Sequence, residues 1–237
     1  VVGDRGDGPA YVLPPAGQDM RSAKFFPAAL ISYGQNLLEG GTRPGANDEA
    51  IVFQREDGVR RSVSWTELND SAVALASFLA GAGVEPGDRV AAWMPNVPET
   101  IVAMIATSLL GATFTSTSPD FGVAGVLDRF GQVEPKVLIA ADGYVYANKQ
   151  HSRLELLAEV VAGLPTLEAV IVHGELSAAP NLTGVREVNG AIPVLDFEQA
   201  IGVGRLAVSQ GRGIDPHRLY RFDQPLYILY SSGTTGV

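Results

Sequence analysis

The stretch Arg89-Val90-Ala91-Ala92-Trp93-Met94, followed by Pro95-Asn96-Val97-Pro98, decides the fold. The first six residues contain no turn former and read as a strand. The spacing behind them predicts a helix over 96–110, with Asn96 as N-cap and Pro98 tolerated in its first turn. The same alternation then repeats. Residues 112–116 read as a strand, 123–133 as a helix and 136–140 as a strand. Ser152-Arg153-Leu154-Glu155 reads as a capping box that opens a helix to about residue 162, and 169–172 is a further strand. Short apolar strands separated by helices imply βαβ units with right-handed crossovers and a sheet covered on both faces. The predicted class is therefore α/β, with predominantly parallel sheets flanked by helices.

Working outward, residues 51–53 and 61–64 flank Glu56-Asp57-Gly58 and predict a β-hairpin with an Asp-Gly turn. Ser64-Trp65-Thr66-Glu67 is a capping box. Behind it, Leu68, Ala72, Leu75, Ala76 and Leu79 form one apolar helical face, ended by Gly81 and Gly83. Residues 24–38 read as an aromatic anchor, Phe25 and Phe26, and a short helix. Residues 1–17 are rich in Gly, Pro and Asp and read as a loop or poorly ordered arm. From 174 to 224 the pattern loosens, with a strand edge and short helix near 194–197, and reads as a connection from one sheet to the next.

Composition excludes several classes. The chain has 237 residues, 46% of them hydrophobic, enough for one large domain or two small ones. With no cysteine it forms no disulfide and no thiolate metal site. That fits a reducing compartment, and the expected localisation is cytoplasmic. A formal net charge of −9 without a basic run argues against a nucleic-acid surface. The longest apolar run, 101–111, is too short for a membrane span, and no signal-peptide pattern opens the chain. No Met starts it, and both ends read as cut from something longer.

His151, His173 and His217 lie far apart with no zinc-ligand spacing, so no metal ligand is assigned. No G-x-S-x-G elbow appears. Arg5-Gly6-Asp7 is read as a chance adhesion tripeptide. Gly202-Val203-Gly204-Arg205-Leu206-Ala207 is a chance match to a dinucleotide fingerprint, since no convincing strand precedes it.

The chain ends Leu226-Tyr227-Ile228-Leu229-Tyr230-Ser231-Ser232-Gly233-Thr234-Thr235-Gly236-Val237. A β-prone run turns abruptly into hydroxyls and glycines. Such a run is either a polar turn or a cradle for phosphates, in which glycine admits close backbone approach and N–H and O–H groups donate. It is not a Walker loop, because G-x-x-x-x-G-K-S/T does not occur. Thr115-Ser116-Thr117-Ser118-Pro119-Asp120-Phe121-Gly122 likewise runs from a strand into a helix, where open parallel sheets place ligands, with Ser118 or Asp120 as a candidate cap.

Tyr230 through Gly236 resembles the phosphate loop of the adenylate-forming superfamily, which includes acyl-CoA synthetases, luciferases and peptide-synthetase adenylation domains. The pattern there reads roughly Y/F-S/T-S-G-S/T-T-G-x-P-K, and this sequence stops at Val237, before the Pro-Lys. Three further blocks resemble the acetoacetyl-CoA synthetases within that superfamily. Residues 24–38 look like K-W-F-P-G-A-x-L-N-Y-A-E-N-L-L, with Phe25, Ala28, Ser32, Gly34 and Gln35 departing from it. Ser118 to Gly122 is similar to their S-P-D-F-G block. Asp142-Gly143-Tyr144-Val145-Tyr146-Ala147-Asn148-Lys149 is similar to D-G-Y-x-Y-x-G-K, with Asn148 where Gly is usual; both tolerate the left-handed turn. Lys149 itself reads as a solvated surface lysine.

The resemblance implies an arm over 1–23, and then the first part of the large N-terminal domain of an adenylate-forming enzyme over 24–237. It implies ATP, Mg²⁺ and coenzyme A as cofactors or co-substrates and a short acid, acetoacetate, as substrate. Ser231, Ser232, Gly233, Thr234, Thr235 and Gly236 would bind the ATP phosphates, with Thr234 and Thr235 serving catalysis. Asp120, Phe121 and Gly122 would lie near the path of the thiol substrate. The family's loop lysine, metal-binding carboxylate, adenosine pocket and mobile C-terminal domain all lie beyond these residues, so this stretch alone is expected to be inactive. Two alternatives stand beside this reading: a ligase for acetate, propionate or a branched acid, and a non-catalytic fragment or interaction module.

Overall fold

Residues 90–93, 137–141 and 169–173 are almost wholly buried, as strands covered on both faces must be. In the computed structural model, which describes residues 1–39 and 45–231, they form the centre of one six-stranded sheet. In chain order the strands and helices begin with β1 (Gly3–Asp4), β2 (Tyr11–Val12), β3 (Lys24–Phe25), β4 (Leu30–Ile31) and α1 (Tyr33–Glu39). The predicted hairpin follows as β5 (Glu49–Gln54) and β6 (Arg60–Ser64), with Gly58 at φ +88° in its turn, and leads into α2 (Trp65–Gly81). The Ser64–Glu67 capping box closes in both directions at the start of α2.

The βαβ region comprises β7 (Arg89–Trp93), α3 (Pro98–Leu109), β8 (Thr113–Thr117), α4 (Val123–Val133) and β9 (Val137–Ala141). A second hairpin, β10 (Gly143–Tyr146) and β11 (Lys149–Ser152), precedes α5 (Leu154–Ala162) and β12 (Ala169–His173). The chain then forms α6 (Thr183–Val188), β13 (Val194–Asp196), α7 (Phe197–Ser209), β14 (Tyr220–Arg221) and β15 (Tyr227–Ile228). The large sheet runs β13-β12-β9-β7-β8-β15, and every neighbouring pair is parallel. Among the described residues no helix is long and apolar enough to cross a membrane.

Strand alternation builds two cores. Val90, Ala92, Val137, Ile139, Ala169 and Ile171 point to one face and pack with α2, α3 and α7. Ala91, Trp93, Leu138, Ala140, Val170 and Val172 point to the other and pack with α4, α5 and α6. This is the helix–sheet–helix sandwich that a parallel sheet requires.

Four sequence expectations are corrected. Asn96 does not cap α3. The residue before a proline is pushed into extended backbone, so Val97 (φ −120°, ψ 161°) becomes the N-cap, without a side-chain bond, and Pro98 opens the helix. Ser152 does not cap α5, because the β11 ladder claims it opposite Gly143; Arg153 takes the cap position. Residues 174–224 do lead from the large sheet to the small one, where β14 pairs with β4, but they are more regular than a loose connection. Their strand β13 is the edge of the large sheet, and α7 is a full helix opened by an Asp196–Gln199 capping box. Gly202 and Gly204 lie within α7, away from any nucleotide turn, and Gly204 lets α7 close onto the Ala74 carbonyl of α2. Finally, residues 1–17 are not without regular structure. The strand β1 pairs with β4, which also pairs with β14, and β2 pairs with β3.

Candidate functional site

The sheet's carboxyl end gathers the blocks that the sequence singled out. After β8 the chain turns through Ser118–Gly122 into α4. Buried Trp93 donates its indole N–H to Ser118 O (3.1 Å), and Arg153 Nε donates to Pro119 O (2.7 Å). The entry to the turn is thereby fixed at two successive carbonyls, and Asp120, Phe121 and Gly122 beyond it are exposed. Neither Ser118 nor Asp120 caps α4. Gly122 is the N-cap, and no side chain bonds there. A turn pinned by its carbonyls leaves no need for a polar cap to direct the chain.

Phe121 is joined to the end of β15 through one side chain. The Arg129 guanidinium, from α4, sits 4.2 Å from the Phe121 ring centroid and 5.7 Å from that of Tyr230. The Tyr230 hydroxyl donates to Arg129 O (3.1 Å). Thr115 Oγ1 stands 2.9 Å from Ile228 O and 3.1 Å from that hydroxyl, donating to one at a time. This explains the hydroxyl-rich β8: Thr115 is β-branched, suits a strand, and is 1% exposed with its polar atom used. Burial raises the Tyr230 hydroxyl pKa above the usual tyrosine value, opposed by the Thr115 bond and the Arg129 charge. It is a hydrogen-bonding group here and no acid.

The third block clasps the same turn. The hairpin β10–β11 turns at Ala147 and Asn148, both left-handed (φ 52° and 56°), so Asn148 adopts the conformation that its position demands. Arg153 Nη2 donates to the Tyr144 hydroxyl (3.0 Å), and its guanidinium lies 4.9 Å from the Tyr144 ring centroid. The Tyr144 ring also stacks on that of His151, with centroids 4.9 Å apart. Arg153 thus joins D-G-Y-V-Y to S-P-D-F-G. Lys149 is exposed. Residues 24–38 sit elsewhere: Phe26 packs edge-on against Phe222 (5.0 Å), and Tyr33 against Tyr227 (5.9 Å), bracing the approach to β15.

Of the expected phosphate-binding residues, exposed Ser231 directly follows Tyr230. Ser232, Gly233, Thr234, Thr235 and Gly236 lie outside the described residues. Sequence reading did not pick out Arg129, Arg153 or Trp93. A second assembly was also missed. Arg55 Nη1 meets Glu175 Oε1 at 2.5 Å, Arg61 pairs with Glu99 at 2.8 Å, and His173 Nε2 stands 3.3 Å from Glu175 and 3.6 Å from Glu99. Its carboxylates face guanidinium groups, and among the described residues no three Asp, Glu or His side chains form a metal-holding group. The assembly borders a cavity of about 270 Å³ lined by Phe53, Pro95, Tyr144 and Glu175.

Residues 40–237 match the family described as AMP-binding enzyme. The chain is 39% identical over 224 residues to the acetoacetyl-coenzyme A synthetase of Rhizobium meliloti (strain 1021), covering 93% of this chain and 31% of the relative. It is 34% identical over 229 residues to the acetoacetyl-CoA synthetase of Xenopus tropicalis, covering 90% and 30%. The solved acetoacetyl-CoA synthetase from Streptomyces lividans superposes with a TM-score of 0.75 at 40% identity, over 90% of this chain and 30% of that one. The chain therefore spans about 30% of the length of these relatives. With the match extending through the α/β sandwich and across the hydroxyl- and glycine-rich run, this chain belongs to the AMP-binding enzyme family.

Proposed function

We propose that this chain is part of an ATP-dependent acid–CoA ligase that activates acetoacetate. The observation that carries the reading is the joining of the S-P-D-F-G turn to the end of β15 through Arg129 and Tyr230, at the sheet end where parallel α/β folds bind ligands. In the first step a carboxylate oxygen attacks the α-phosphorus of ATP. The bond to the β-phosphate breaks, giving acetoacetyl-adenylate and pyrophosphate. In the second, the thiol of coenzyme A attacks the acyl carbon, its proton passes to solvent, and AMP leaves.

Such transfers need positioning and charge stabilisation more than covalent help. Ser231, Ser232, Thr234 and Thr235 would offer hydroxyls to the phosphates, and Gly233 and Gly236 would offer close backbone N–H groups. Asp120, Phe121 and Gly122 would border the path of the thiol. Mg²⁺ would arrive with the nucleotide and neutralise its charge; no described residue is assigned to it. Residues 24–237 are read as the first part of a larger domain and residues 1–23 as an arm tied to it. The lack of cysteine supports a cytoplasmic setting.

The test is kinetic. The full-length protein, given ATP, Mg²⁺ and coenzyme A, is expected to show a higher kcat/KM for acetoacetate than for acetate. Equal or reversed preference moves the assignment to a general short-chain ligase. No turnover of any acid favours a non-catalytic role. Within the reading, Thr235→Ala is expected to slow ATP–pyrophosphate exchange by about a hundredfold, the effect of one donor to a developing oxyanion. Unchanged exchange would place this hydroxyl away from the phosphates.

A further inference from the structure

We propose that Arg129 is a positioning residue for the adenylation step, an inference that rests on the ligase reading above. Its guanidinium is half-buried between two rings, with Nη1 donating to Gly125 O at 2.8 Å. Among the described residues no carboxylate lies within ion-pair distance of it. For stability alone this is a poor choice. A methionine or leucine would fill the gap between Phe121 and Tyr230 without partly desolvating a charge. Arginine adds two things that an apolar side chain lacks. It offers a rigid plane that engages both rings. It also holds a permanent positive charge beside the end of β15, immediately ahead of the hydroxyl-rich run in the sequence.

The geometry says what that plane controls. Tyr230 is the last residue before Ser231. Its ring faces Arg129, and its hydroxyl is tied to Arg129 O and Thr115. The direction in which the chain leaves β15 is therefore set by α4. Phe121, in the turn ahead of α4, contacts the same guanidinium. Arg129 thus makes the S-P-D-F-G turn, the start of α4 and the exit of β15 one unit. Loss of its plane leaves each of them folded and their mutual placement looser, and small misplacement near reacting groups slows chemistry steeply.

The experiment compares wild type, Arg129→Met and Arg129→Lys in the full-length protein. ATP–pyrophosphate exchange is followed with acetoacetate, alongside thermal unfolding and titration of active sites by the adenylate burst. Arg129→Met is expected to lower kcat for exchange about tenfold or more per active site, with KM for acetoacetate within about twofold. Arg129→Lys restores charge without the plane and is expected to recover only part of that loss. Wild-type kcat and KM for ATP in Arg129→Met would overturn the proposal, as would wild-type behaviour of Arg129→Lys, which stands as the test if the methionine variant does not fold. A loss accounted for wholly by fewer active sites would also overturn it, since a purely structural role predicts that. Absence of exchange in the wild type would instead remove the ligase reading itself.

Discussion

Asp142→Ala is expected to destabilise the protein by about 3 kcal/mol, because it removes the buried acceptor of three part-buried backbone donors at once. Asp142 is 3% exposed and opens the D-G-Y-V-Y block. Its Oδ1 accepts from Glu175 N (2.8 Å) and Leu176 N (2.9 Å), and its Oδ2 accepts from Ser177 N (3.0 Å). A carboxylate held by three converging backbone N–H groups is a compact anion nest. Its backbone also links β12 to the second hairpin: Asp142 N donates to His173 O (2.9 Å), and Asp142 O accepts from Arg153 N (2.7 Å). Alanine keeps those two bonds and removes the other three. The loop after β12 then loses the acceptor that shapes it, and Glu175 loses its fixed position. Asp142→Asn keeps one acceptor oxygen but sets an amide against N–H donors, so an intermediate loss is expected. Urea unfolding of the three proteins measures it. A difference below about 1 kcal/mol for alanine would mean that water replaces the carboxylate without strain.

The parallel sheet was legible because each central strand is a short, nearly unbroken apolar run, and few other structures bury such runs on both faces. Local signals failed where a neighbour had a stronger claim. Asn96 is a good cap by residue type, yet Pro98 dictates the geometry of Val97. Ser152 fits a capping box, yet the ladder with Gly143 holds it in a strand. The helix α7 was underestimated because Gly202 and Gly204 weaken helix propensity, while Gly204 is what lets α7 approach α2. The binding blocks were visible as composition changes at strand ends. What joins them was not. Arg129 meets Tyr230 from 101 residues away, and Arg55 meets Glu175 from 120 residues away. Single arginines and glutamates carry no periodicity that would announce such partners.

Glu175→Gln is expected to lower stability by about 3 kcal/mol near neutral pH, and that difference is expected to shrink in acid. The Glu175 side chain is 6% exposed, between Arg55 at 2.5 Å and His173 at 3.3 Å, with Arg61 at 3.9 Å. Burial opposes its charge, but the bonds from His173 and Arg55 outweigh burial and hold the carboxyl below the usual 4.5. A carboxyl whose folded pKa is depressed contributes stability that is fully present above its unfolded value. That contribution is lost as pH falls below 4.5 and through the folded value. Glutamine keeps the shape and removes the charge, so it mimics the protonated acid at every pH. Wild type and variant should therefore differ most near neutrality and converge as the solution is acidified past the carboxylate range. Asp57, whose carboxyl the Arg55 bond also holds below its usual value, is present in both proteins and leaves the comparison largely intact. Urea unfolding at a series of pH values reads the gap directly. A gap that stays constant or widens in acid would mean that the variant acts by disturbing packing rather than by removing a charge clasped between Arg55 and His173. A gap that closes would make this assembly an electrostatic tie between the hairpin β5–β6 and the carboxyl end of β12, holding the wall of the neighbouring cavity in place.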